Sequence, residues 1–171
     1  MRIAWFANID FQEGNAANSR IRVLAEGLKK NGNQVFLFLL SATVFNTNQI
    51  NKKNKGFFHG IYFNYLSGSV LRSPYRIFRF LSYVKSIICS SYLLIKKRKH
   101  FDVIFIYSPR LLFFGHIYIL AKVLKIPLIL EKTELEHLIQ TNKFVPILIR
   151  ATDYIDAYII NYFCSHLIVI S

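Results

Sequence analysis

Short, nearly unbroken apolar runs alternate along the 171 residues with longer stretches in which apolar positions recur every three or four residues. RIAWFA at residues 2–7 reads as a buried strand that ends in the polar loop NIDFQEGNAAN. SRIRVLAEGLKKNG follows, with Ile21, Leu24, Ala25 and Leu28 at helical spacing and Lys29, Lys30, Asn31 and Gly32 as a C-terminal stop. QVFLFLLS, Gln34 to Ser41, then has almost no polar alternation, which is what a strand needs when both faces of its sheet are covered. Strand, helix, strand is a βαβ unit.

The same alternation continues. The polar stretch NTNQINKKNKG is a loop before FFHGIYFNYL, a third strand, and Pro74 suits the first turn of a long helix running to about Lys99. Phe101 to Tyr107 is a strand with Ser108 and Pro109 in its turn, Leu111 to Lys125 a helix, and IPLILE a strand. A helix within FVPILIRATDYIDAYIINYFC and a last strand, HLIVIS, close the pattern. It predicts a single α/β domain over residues 1–171: a Rossmann-like, doubly wound, mainly parallel sheet with helices on both faces. A wholly helical, membrane-associated chain is the alternative, because FLFLL and LLFFGHIYIL also suit buried helix.

Composition narrows the function classes. Lys and Arg total 22 against 9 Asp and Glu, a net charge of +13, yet 53% of residues are hydrophobic and 18% charged, which excludes a disordered basic tail or a charged coiled coil. Cys89 and Cys164 sit in apolar surroundings without CxxC spacing and read as buried thiols. MRIAWFANID lacks a signal-peptide core and predicts a cytoplasmic location. Residues 77–95 are interrupted by Arg79 and Lys85, so no membrane span is expected; an anionic membrane surface is the expected partner instead. HLIVIS has no covering helix after it, which predicts exposed apolar surface at Leu167 to Ser171 and beside a helix at 147–163, covered by a further segment, a second copy or another chain.

In such a sheet ligands bind beyond the C-terminal strand ends. The first loop there carries Gly14, Asn15 and Ala16 before a helix, where free N–H groups attract phosphate or carboxylate; a plain surface turn with Asn18 or Ser19 as N-cap is the alternative. It is neither GxGxxG nor GxxxxGK[ST]. Arg20 opposes the helix dipole, which is more tolerable when it meets an anion. EKTELEH, 131–137, follows a strand directly, and Glu131 and Glu134 would share one side of a short helix as acid–base or hydroxyl-binding groups, or as a dipole-stabilised charge pair. With His137 they lack the HExxH pattern, so no metal site is expected. Arg72, Arg76 and Arg79, interleaved with Tyr75, Phe78 and Tyr83 and followed by KKRKH at 96–100, suit lipid phosphates, or form a solvated face. No nucleic-acid-binding module accompanies the charge.

MRIAWFA, NSRIRVLAEGLKKNGNQVFLF, FDVIFIYSP, IPLILEKTELE and SHLIVIS, in this order and spacing, resemble the N-terminal, acceptor-side domain of a family 4 glycosyltransferase with the two-domain GT-B architecture. The resemblance implies half of a GT-B fold, with the C-terminal domain that binds the nucleotide-sugar absent from this chain. It implies hexosyl transfer from that co-substrate, with no other cofactor, to a lipid-linked or polysaccharide acceptor in cell-envelope or exopolysaccharide synthesis. Gly14, Asn15, Ala16 and Arg20 would meet donor phosphate or acceptor, and Glu131 and Glu134 would be the catalytic carboxylates. Arg72, Arg76 and Arg79 would hold the protein at the inner face of the membrane. The isolated chain would be inactive without a donor-binding partner. A non-catalytic module for glycan or anionic lipid is the competing function.

Overall fold

In the computed structural model, residues 1–9, 16–40, 42, 53–107, 111–132 and 167–169 are described. The elements run β1 (Arg2–Ala7), α1 (Ala16–Lys30), β2 (Gln34–Leu39), β3 (Lys55–Phe58), β4 (Ile61–Tyr65), α2 (Arg76–Lys96), β5 (Val103–Tyr107), α3 (Leu111–Leu124), β6 (Leu128–Lys132) and β7 (Leu167–Val169). They build one seven-stranded sheet in the order β3-β4-β2-β1-β5-β6-β7. Only β3 is antiparallel to its neighbour. The doubly wound α/β reading therefore holds, and the wholly helical alternative does not.

Alternation along β1 explains its unbroken apolarity. Ile3, Trp5 and Ala7 join a core with Ile21 and Ala25 of α1, while Ala4 and Phe6 join a second core with Leu94 of α2 and Phe113, Phe114 and Ile117 of α3. Successive side chains leave a strand on opposite faces, so a sheet with helices on both sides requires apolar residues at every position. At the centre of the second core, the Phe6 ring lies 5.3 Å from Phe38 and 5.8 Å from Phe113.

FFHGIYFNYL is a hairpin rather than one strand. Phe58 pairs with Ile61 across His59 and Gly60, whose φ values of 48° and 73° are both positive, as a two-residue hairpin turn of matching twist demands. The long helix begins at Arg76, after an extended Tyr75 cap, and ends at Lys96, where a 3-10 turn at Arg98–His100 replaces its expected last turn. Pro74 thus precedes the helix. At α1 the helix starts at Ala16, so Asn18 and Ser19 are helical residues and neither is the N-cap.

Correction is also needed for the membrane reading of α2. Its 21 residues are long and apolar enough to cross a bilayer by length and composition, despite Arg79 and Lys85. Burial ties it to the domain: Ser86, Ser90 and Leu94 are its buried residues, and the Ser86 hydroxyl donates to the Leu40 carbonyl at the end of β2. Tyr83 also packs against the core, whereas Ile77, Phe78, Phe80 and Leu81 in the first turns are exposed.

Two helices end in the same motif on different residues. After α1, Gly32 at φ 77° donates to Lys29 and Asn33 to Leu28; after α3, Lys125 at φ 56° donates to Lys122 and Ile126 to Ala121. Lysine bears a left-handed penalty of roughly 1–2 kcal/mol that glycine does not, against about 0.5–1 kcal/mol for glycine's extra chain entropy. Lys125→Gly should therefore stabilise the protein by about 0.5 kcal/mol. A urea midpoint that falls, at unchanged slope, would contradict this.

Candidate functional site

The chain winds from β1 outward to β2 and β4, then returns to place β5 on the other side of β1. The switch point lies between β1 and β5, and a crevice beyond their C-terminal ends is where such sheets take ligands. Leu39, Ala7, Tyr107 and Glu131 form one registered row there, across β2, β1, β5 and β6. Residues in register share a face, so Glu131 belongs to the α1 side.

Arg20, in the second turn of α1, reaches this row. Its Nε donates to Glu131 Oε1 at 3.1 Å, with side-chain exposures of 25% for Arg20 and 2% for Glu131. Burial pushes the Glu131 carboxyl above the ordinary carboxylate range, and the Arg20 charge and hydrogen bond oppose that rise. Arg20 Nη2 is also buried and makes no hydrogen bond among the described residues. One nitrogen thus fixes the guanidinium against the carboxylate, while a second keeps donor capacity for an anionic oxygen.

Glu131 lies in β6, at the sheet's C-terminal edge, as the expected strand IPLILE places it, and so is not on the short helix that would set it beside Glu134. Glu134, Gly14 and Asn15 lie outside the described residues, as do Cys164, the helix expected at 147–163 and Ser171. Ala16 is the first residue of α1. Sequence reasoning singled out Arg20 and Glu131 separately. Nothing in the spacing of 111 residues tells that they meet.

The three arginines do not share one helix face, as Arg72 precedes α2; Arg76 opens the helix and is exposed, and Arg79 is partly buried. Cys89 is half-buried rather than enclosed. A polar contact went unread: His116 of α3 has its Nε2 3.0 Å from Ser91 Oγ and 3.4 Å from Ser90 Oγ of α2, and burial lowers its pKa. The adjacent Ser90 and Ser91, between apolar Ile87, Ile88 and Tyr92, Leu93, were the available signal. Among the described residues no three His, Cys, Asp or Glu side chains gather as a metal site.

No protein-family model and no curated protein matches the chain. Among solved structures it is similar to Acinetobacter baumannii MurG, over 98% of this chain at 9% identity and TM-score 0.49, and to apo UGT2 of Phytolacca americana, over 80% at 16% identity and TM-score 0.49. It spans 40% of the length of the first and 31% of the second.

Proposed function

We propose that this domain is the acceptor-side half of a GT-B glycosyltransferase, acting with a donor-binding domain to move a sugar from a nucleotide-sugar onto a lipid-linked or polysaccharide acceptor of the cell envelope. The observation that carries the reading is the Arg20–Glu131 pair, buried at the C-terminal edge beside the switch point. It joins two of the five segments on which the family resemblance rests, NSRIRVLAEGLKKNGNQVFLF and IPLILEKTELE.

In the proposed reaction an acceptor hydroxyl oxygen forms a bond to the anomeric carbon, the bond from that carbon to the diphosphate oxygen breaks, and the hydroxyl proton passes to a carboxylate. Glu131 holds Arg20, whose free Nη2 meets developing phosphate or acceptor charge together with the Gly14, Asn15 and Ala16 segment at the start of α1. Glu134 is the proton-accepting partner, because Glu131 already spends one oxygen on Arg20. Basic Arg72, Arg76 and Arg79, beside exposed Tyr75, Phe78 and Phe80, hold the enzyme at the inner membrane face.

The test is transfer of labelled sugar from a panel of nucleotide-sugars to membrane-extracted acceptors by this chain combined with its donor-binding domain. Arg20→Met paired with Glu131→Gln, which leaves no lone buried charge, should cut turnover by about a hundredfold with the fold retained. No transfer by a folded complex across the panel overturns the reading. Acceptor binding without any turnover would assign the domain to glycan or lipid recruitment instead.

A further inference from the structure

The second half of α2 and the adjoining strand β4 do not close against each other. Between them runs a groove of about 390 Å³, with Leu66 and Asn64 on the sheet side and Ile88, Cys89, Tyr92 and Leu93 on the helix side. Lys96 and Lys97 stand at one end. The Lys96 Nζ donates to Tyr92 Oη at 2.7 Å and sits 5.1 Å above the centre of that ring, which holds the ammonium at the rim. No carboxylate is among the described lining residues, and the sequence has no Asp or Glu between Glu26 and Asp102.

These features define an occupant. Short of the two lysines the walls are hydrocarbon apart from the Asn64 amide, the Cys89 thiol and the Tyr92 hydroxyl, so a peptide would leave most of its backbone groups unsatisfied there. An alkyl chain has no such groups. A methylene fills about the 30 Å³ share of a water molecule, so the groove takes on the order of a dozen carbons. Two ammonium groups at one end, with no carboxylate partner among the described residues, then call for an anionic head. Ile88 and Tyr92, which line the groove, are each 62% exposed, so its open side is apolar.

We infer that the groove between α2 and β4 binds one anionic membrane lipid, its acyl chain lying along Leu66, Cys89 and Leu93 and its phosphate meeting Lys96 and Lys97. The site uses none of the residues assigned to sugar transfer, and it is separate from the arginines at the other end of α2. It therefore stands whether or not the transferase reading does.

Cys89 provides the readout, because a chain in the groove would cover its half-buried thiol. In the full chain carrying Cys164→Ser, maleimide labelling of Cys89 is followed with monomeric lysophosphatidic acid below its micelle concentration. Saturating ligand should slow labelling about tenfold, and each methylene removed from the chain should weaken protection about two- to fourfold. Lysophosphatidylcholine of equal length, whose head has no net charge, should need about ten times the concentration. Lys96→Glu with Lys97→Glu, both on exposed side chains, should erase that difference while the far-ultraviolet circular dichroism stays unchanged. Inorganic phosphate alone should not protect. Labelling that is indifferent to lysophosphatidic acid overturns the proposal; so does equal protection by both lipids, or protection by free phosphate. Vesicle binding by the arginine triad is measured separately, so its loss leaves this result intact.

Discussion

Arg20→Ala should lower the stability of the folded chain at neutral pH by about 3 kcal/mol, because it strands a carboxylate that is 2% exposed. The figure is at the low end for a broken buried pair, since a quarter of the arginine side chain meets solvent. Glu131 already ionises less readily than a free glutamate, with Arg20 restraining the rise. Without that cation the folded-state pKa climbs further. A carboxyl raised on folding favours the protonated form, so its contribution is fully present below the unfolded value, near 4.3, and is lost as pH rises through the folded value. The deficit of the variant should thus be small in acid, grow through the carboxylate range and level off above it. Urea midpoints of parent and variant across that range decide the matter. Equal midpoints at neutral pH, or a deficit that ignores pH, would remove the pair from its structural role. Arg20→Met combined with Glu131→Leu should recover most of the loss, since neither charge then remains to be desolvated.

Phe6→Ala should cost about 3–5 kcal/mol. The ring is fully buried on the central strand, in contact distance of Phe38 on β2 and Phe113 on α3, so its removal opens a cavity bordered by three elements that cannot all collapse inward. Phe6→Leu keeps most of the volume and should cost clearly less. The comparison by chemical denaturation separates a packing effect from a change in strand propensity. A leucine variant as unstable as the alanine one would show that strand preference, not packing, dominates at this position.

Much of this architecture could be read from the chain because its apolar runs are short and set apart by polar turns. RIAWFA, VFLFLL and VIFIY are apolar at nearly every position, a pattern that suits a buried helix as well, but their length of five or six residues and their aromatic and β-branched content favour strands covered on both faces. The hairpin at His59–Gly60 was hidden for the converse reason. Its flanking residues are apolar on both sides of the turn, and the turn itself lacks the Asn-Gly or Asp-Gly pair that announces tight hairpins. At α1, polar Asn18 and Ser19 suggested a cap, yet the helix already includes Ala16, and Asn18 is buried at 4% exposure. Of the candidate site, Arg20 and Glu131 were each identifiable from local reasoning about a helix dipole and a strand end. Their contact was not, since it depends on α1 and β6 lying on either side of the switch point. The α2 groove was likewise unreadable, because an exposed and a buried apolar helix face have the same composition. Only the packing of α2 beside β4 reveals the difference.

The placement of β1 sets an order of events in folding. Residues 2–7 are made before the other described strands and lie at the centre of the sheet, paired on one side with β2 and on the other with β5. The β2 partner arrives after one helix, so β1, α1 and β2 can assemble as a local unit while synthesis proceeds. The other edge of β1 has to wait for residues a hundred positions later, and Arg2 records that delay in its bonds to Asp102 and to the Lys99 carbonyl. Until then a long hydrophobic strand edge stays unpaired, and closing so distant a contact slows the search for the native state. A nascent chain arrested before Val103 should consequently be far more dependent on holding chaperones than one arrested after Tyr107, with the transition falling at the emergence of β5.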